Sequence, residues 1–158
     1  MGYAVLHIDK ARSNDSGNTA HIARTYTPSN VDPSRTRLNR ELVQFPANVT
    51  NRSEAIEHRI ATAGIYRKVA KNQVKALRFI LSSSPEDMAR IEQEGLLYEW
   101  CDESMDWLRS TFGADNVVAA TLHADEDTPH IHATVVPIVT GERRKAKEEA
   151  ENGKRKYK

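Results

Sequence analysis

Apolar and polar residues follow one another along this chain with periods that change from segment to segment, and the periods predict its elements. Residues 3–9, Tyr-Ala-Val-Leu-His-Ile-Asp, are rich in strand formers, and the polar stretch 13–18 after them reads as a loop. Residues 19–26 have room for two helical turns, closed by Thr27-Pro28 because a proline disfavours α geometry in the residue before it. Residues 31–35 read as a loop and 40–45 as a second strand. Ser53 offers a helix cap ahead of Ile56 and Ile60, four apart on one face, and 74–81 is a third strand. Ser84-Pro85-Glu86-Asp87 then supplies a cap, a proline at the first helical position and two acids at the positive end of the dipole.

The helix that follows is predicted to run for about 25 residues on Met88, Ile91, Leu96, Tyr98, Met105, Trp107, Leu108 and Phe112. It has a break near Gly95 and a cap at Gly113, and Trp100 and Trp107, seven apart, are read as core. Residues 117–122 and 131–136 are the two clearest strands, and the short polar link between them makes them an antiparallel hairpin. This order of elements predicts an α+β domain, an antiparallel sheet of about five strands covered by helices. It spans residues 1–140. Residues 141–158, a basic tail, read as the start of a region continuing in a longer protein.

Composition narrows the class. With 39% hydrophobic and 28% charged residues the 158-residue chain suits a globular domain rather than a disordered one. No apolar run approaches the roughly 20 residues needed to cross a bilayer, and Met1-Gly2-Tyr3-Ala4 does not open an export signal. Cys101 is the one cysteine, so neither an internal disulfide nor a cysteine-built zinc site is available. A reducing cytoplasm, no membrane contact from this segment, and metal binding through histidine and carboxylate are the expectations. The net charge of +1 conceals a segregation: residues 1–84 carry 13 basic and 6 acidic side chains, residues 85–140 carry 2 and 12, and residues 141–158 carry 8 and 4. A polyanion would be held by the first part, where Arg24, Arg35, Arg37, Arg40, Arg67, Lys68, Lys71 and Lys75 offer phosphate-gripping groups, and the acidic long helix is expected on the far side of the sheet.

The chemistry concentrates in His123-Ala124-Asp125-Glu126-Asp127-Thr128-Pro129-His130-Ile131-His132. Side chains two apart on a strand share a face, so His130 and His132 project together, and His123 at the end of the paired strand reaches the same place. Three converging imidazoles suit a divalent metal with positions left open for substrate. Asp125 and Glu126 stand beside them as orienting partners or as a further ligand. Imidazole-rich ligation favours first-row ions over magnesium, which makes Mn²⁺ the first expectation and Mg²⁺ the second.

That ten-residue string resembles the H-x-D-E-x-x-P-H-x-H motif of the Mob/Pre (MobV-type) plasmid mobilisation relaxases, within the HUH class of single-strand DNA nickases. Two further stretches agree in order: His21-Ile22-Ala23-Arg24 is similar to the family's H-x-x-R, and Asp32-Pro33-Ser34-Arg35-Thr36-Arg37-Leu38-Asn39 to its N-P-S-R-x-x-L-N, with Asp in place of the leading Asn. The resemblance implies a bacterial, cytoplasmic enzyme that nicks and rejoins one DNA strand at a plasmid or mobile-element transfer origin through a covalent link to the 5′-phosphate. Its substrate would be single-stranded or supercoiled origin DNA, with accessory mobilisation proteins and a coupling protein as partners. His21 would be the nucleophile, with Tyr26 and Tyr66 as rivals; Tyr26, five residues on, points elsewhere if the helix is regular. Glu126 would aim His21 by accepting from one ring nitrogen, and Arg24 would contact phosphate. Ser34, Arg35, Arg37, Asn39, Arg67 and Lys71 would contact DNA, while His7 and His58 would be structural. A metal-dependent phosphodiesterase using activated water and a non-catalytic DNA-binding replication or regulatory module remain alternatives.

Overall fold

The computed structural model describes residues 2–11, 15–65, 70, 71 and 73–139. Arg67, Lys68, Tyr66 and the basic tail 141–158 therefore lie outside the described residues. The strands are β1 (Ala4–Ala11), β2 (Arg40–Glu41), β3 (Ala76–Ser83), β4 (Val117–His123) and β5 (His130–Val135). They form one five-stranded sheet in the order β1-β3-β5-β4-β2 with every neighbouring pair antiparallel. The α-helices are α1 (Ser16–Ile22), α2 (Arg52–Thr62), α3 (Pro85–Gln93) and α4 (Leu97–Phe112), with 3₁₀ turns at Pro33–Leu38 and Ala114–Asn116. This is the α+β arrangement that the sequence predicts.

Strand periodicity sorts the sheet into two faces. Phe79, Leu122, Ile131, Ala133 and Val135 bury against Cys101, Met105 and Leu108 of α4. The other face takes α2 through Ala55 and Ile56, packed on Ala11, Ala76, Val118, Ala119 and Val136. The acidic helix α4 thus lies across the sheet from His130 and His132, whereas Pro85 at the start of α3 lines a cavity beside those two histidines and Glu92 of α3 pairs with Arg35. The long helix breaks where expected: Gly95 has φ 71°, a left-handed turn that favours glycine, and α4 restarts beyond it. Ser84 caps α3 by accepting from the Asp87 N–H, with Pro85 in the first turn.

Four local expectations need correction, the first being that α1 covers Ser16–Ile22, so it starts inside the expected loop 13–18 and stops short of residue 26. The strand expected over 40–45 is ordered as sheet only at Arg40–Glu41. The cap of α2 is Asn51, which accepts from the Glu54 N–H, rather than Ser53, and the Glu54 carboxylate reaches back to the Thr50 N–H at 2.7 Å. Trp100 packs partly buried on the core, but Trp107 is 41% exposed and meets Phe112 edge-on. Among the described residues no helix is long and apolar enough to cross a membrane. Cys101 is buried on the sheet-facing side of α4, and that burial pushes its thiol up to about 12, so it stays protonated and inert.

Candidate metal centre and the network around it

β4 and β5 pair with His123 opposite His130 and with Thr121 opposite His132, so all three imidazoles leave one face at one end of the sheet. Together with Glu126 from the connecting loop they offer four ligand atoms within 4.8 Å of one another. The nitrogens are set up for it. His123 Nε2 lies 2.8 Å from the Ile22 carbonyl, so it carries the proton and donates it, and Nδ1 keeps the lone pair. That Nδ1 is buried and without a hydrogen-bond partner, aimed into the cluster. His130 Nδ1 likewise donates to the Thr128 carbonyl at 2.9 Å, leaving Nε2 for the cluster, 3.1 Å from His132 Nε2 and 3.1 Å from Glu126 Oε2. The unpartnered lone pair of His123 Nδ1, converging with His130 Nε2, His132 Nε2 and the Glu126 carboxylate, fits a divalent cation, whose charge would satisfy all four.

Burial, opposed by the Ile22 carbonyl, brings His123 down to about 4, and burial with the neighbouring imidazoles of His130 and His123 brings His132 down to about 2. A histidine depressed in the fold contributes stability that is complete above its unfolded value near 6.5 and is lost as pH falls below it. The metal-free chain is therefore expected to melt several degrees lower at pH 5 than at pH 7 in calorimetry. A melting point unchanged over that window would contradict the buried, neutral imidazoles.

Asp125 holds the ring of residues behind the cluster. Its carboxylate, fully buried, accepts from Arg24 Nε (3.0 Å) and Nη2 (2.9 Å), Thr36 Oγ1 (2.8 Å) and Asn39 Nδ2 (3.0 Å). Burial alone would raise this carboxyl; the hydrogen bonds from Arg24, Thr36 and Asn39 outweigh it and hold the group well below the usual carboxylate range. Its backbone carbonyl accepts from the Asp32 N–H, and Asn39 Oδ1 accepts from the Ala124 N–H, both at 2.7–2.8 Å. The 3₁₀ turn over Pro33–Leu38 is thereby pinned to the metal loop. Asp32, which replaces the family's Asn, caps that turn through Ser34 N–H and Oγ.

The sequence-predicted residues separate into distinct groups here. Arg24 sits with φ 57° and spends its guanidinium on Asp125, Glu126 and the His21 carbonyl, so it braces the loop. Glu126 accepts from Arg24 and from Asn30 Nδ2 at 2.6 Å, a partner no motif pointed to. The expected contact from Glu126 to His21 is not made. Instead His21 Nδ1 lies 3.3 Å from the Tyr26 hydroxyl: α1 stops at Ile22, and the left-handed Arg24 turns the chain so that Tyr26 comes back to the ring. The His21 ring stands 6.5 Å from His123 and 6.3 Å from His132, centroid to centroid. Arg37 is exposed on the 3₁₀ turn, and Arg35 pairs with Glu92 of α3 at 3.1 Å. Lys71 precedes the Ala76 end of β3, the opposite end from Ser82 and the imidazoles, about 20 Å away at strand rise. His7 is exposed on β1, and His58 lies on α2.

One anchor of α1 escaped sequence reading altogether. Arg52, 5% exposed, donates through Nε to Thr134 Oγ1 on β5 (2.6 Å) and through Nη1 to Thr19 Oγ1 on α1 (3.2 Å), and pairs with Asp15 at 3.0 Å. An arginine at a helix start ordinarily reads as solvated, so only the burial reveals it.

The chain is 32% identical over 98% of its length to the plasmid recombination enzyme type 3 of Staphylococcus aureus. It is 30% identical over 85% of its length to a 65 kDa protein of Zymomonas mobilis. It spans 38% and 23% of those two relatives. Its fold superposes with a TM-score of 0.77, at 24% identity over 94% of the chain and 80% of the other, on the manganese-bound relaxase domain of MobM in complex with oriT DNA of plasmid pMV158. The family model Mob_Pre, plasmid recombination enzyme, matches residues 1–157, and the chain belongs to that family.

Proposed function

We propose that residues 1–140 are the catalytic domain of a relaxase that nicks and rejoins one DNA strand at a transfer origin, keeping the 5′-phosphate covalently attached. The observation that carries this reading is the cluster of His123, Glu126, His130 and His132 with the His21 ring 6.3–6.5 Å from those of His132 and His123. His123, Glu126, His130 and His132 would hold a divalent cation, which would supply charge neutralisation at a non-bridging phosphate oxygen. His21 attacks the scissile phosphorus in line: a nitrogen–phosphorus bond forms, the bond from phosphorus to the 3′-oxygen breaks with its electron pair, and the 3′-oxygen takes a proton from solvent to become a hydroxyl. With Nδ1 carrying the proton and donating it to the Tyr26 oxygen, Nε2 keeps the lone pair for attack. Because the link to the protein conserves the phosphodiester's energy, the 3′-hydroxyl can attack it in return and rejoin the strand.

Mn²⁺ is the cation of choice, on the imidazole-rich donor set and on the manganese in the MobM relaxase domain; Mg²⁺ is second. Ser34, Arg35 and Arg37 on the pinned 3₁₀ turn are the DNA contacts nearest the site, with Arg24 and Asn39 acting behind it. Accessory mobilisation proteins and a coupling protein are partners expected of the longer protein.

The test is to incubate the chain with Mn²⁺ and a labelled random-sequence single-stranded DNA pool, denature, and recover DNA that migrates with protein. A protein-linked band that needs the cation supports the relaxase. Cleavage to free ends would make it a hydrolase, and binding without cleavage a DNA-binding module. The double variant His130→Ala/His132→Ala is expected to weaken Mn²⁺ binding by at least about 100-fold in calorimetric titration, since it removes two of the four donors. Unchanged affinity would sink the assignment of the site.

A further inference from the structure

Beside the imidazole cluster, over one face of β1, β3 and β5, lies an open cavity of about 510 Å³. Its lining includes His21, His130 and His132, and beyond them Tyr3, Val5 and Ile80. The sheet register explains this composition. Val5 stands opposite Ser82, and Ile80 opposite both His7 and His132, so Val5, Ile80, Ser82 and His132 share one face. Tyr3, two residues before Val5, continues the row at the entrance to β1. Its carbonyl accepts from the Ser84 N–H and from Ser83 Oγ, each at 2.8 Å, while the side chain is left 61% exposed. The backbone is thus fixed and the aromatic ring is open to a ligand.

We propose that this cavity receives a nucleobase of the DNA strand whose phosphate lies at the imidazole cluster, stacked on Tyr3 above Val5 and Ile80. The inference rests on the proposed function and adds a base-binding subsite to it. Among the described residues no Lys or Arg lines the cavity, so it does not suit a phosphate, whereas an aromatic ring over an aliphatic floor suits the flat face of a base. Continuity selects the occupant: a strand whose phosphate is reached by His21 must lay its next nucleotide on an adjoining surface, and this cavity shares four residues with the site, His21, Glu126, His130 and His132. The volume falls in the range of about 300–1,000 Å³ that takes ligands of nucleoside size and above. Stacking of this kind tolerates any base, so Tyr3 would add affinity next to the nick rather than read sequence.

The test compares two fluorescein-labelled probes by anisotropy with Mn²⁺ present, a twelve-nucleotide dT oligonucleotide and one of the same length built from abasic residues. Tyr3→Ala is expected to weaken the dT probe about 10-fold and leave the abasic probe within about twofold, and Tyr3→Phe to keep the wild-type preference. Equal loss on both probes, no loss on dT, or a wild type that does not distinguish the probes would overturn the subsite. The covalent-adduct assay is read separately on the same proteins. An adduct formed by a chain indifferent to Tyr3 refutes the subsite alone; Tyr3-dependent base preference without any adduct refutes the relaxase reading alone.

Discussion

Replacing His21 with alanine is expected to reduce covalent attachment of DNA by about three orders of magnitude or more, because no other group can form the nitrogen–phosphorus bond from that position. Metal affinity should stay within about twofold, since His21 is not among the four clustered donors. Tyr26→Phe is the informative partner. It removes the hydroxyl 3.3 Å from His21 Nδ1 and with it the restraint on tautomer and ring orientation, but leaves the attacking nitrogen in place. The adduct should therefore persist in Tyr26→Phe and form no more than about 10-fold more slowly, a modest loss typical of a positioning hydrogen bond. Denaturing gels of both variants against wild type, with Mn²⁺ titrations alongside, decide the matter. An adduct surviving in His21→Ala, or vanishing in Tyr26→Phe, would move the nucleophile to the tyrosine.

That exchange between His21 and Tyr26 also marks where the sequence stops being legible. The hairpin β4–β5, the break at Gly95 and the convergence of His123, His130 and His132 all follow from local rules: strand period, glycine at a left-handed turn, and an H-x-H on one face. The end of α1 does not. Propensity allows helix up to the residue before Pro28, yet the helix ends at Ile22 because Arg24 is pulled out of it by Asp125 and Glu126, a hundred residues away in the chain. A tertiary ion pair overrides the local preference, and the same override brings Tyr26 to His21. Asn39 and Asn30 were hidden for the same reason. Asn39 is in a motif that reads as DNA contact, but its side chain is consumed by Asp125 and Ala124, and Asn30 is in no motif at all. The even charge of +1 was similarly opaque in bulk; its distribution along the chain set the acidic α4 on the far face of the sheet, but not α3, whose Glu92 pairs with Arg35 beside the metal loop.

The Arg24–Asp125 pair also holds the fold together behind the cluster. Asp125→Ala is expected to destabilise the chain by about 3–5 kcal/mol, the usual cost of stranding one partner of a buried ion pair. The side chains are 7% and 0% exposed, so solvent screening offers little relief. Thr36 Oγ1 and Asn39 Nδ2 lose their acceptor in the same step, which releases the 3₁₀ turn from the metal loop, and Arg24 keeps only Glu126 and the His21 carbonyl. Asp125→Asn keeps the shape but turns one acceptor into a donor facing the guanidinium, and should fall between the two. Urea melts of the three proteins give the ordering, and the adduct assay at a temperature where all are folded separates stability from positioning. There Asp125→Ala should still attach DNA more slowly than wild type, since His21 is held through Arg24. A loss below about 1 kcal/mol would mean that Glu126 alone suffices to neutralise Arg24, and that the loop is held by its backbone contacts.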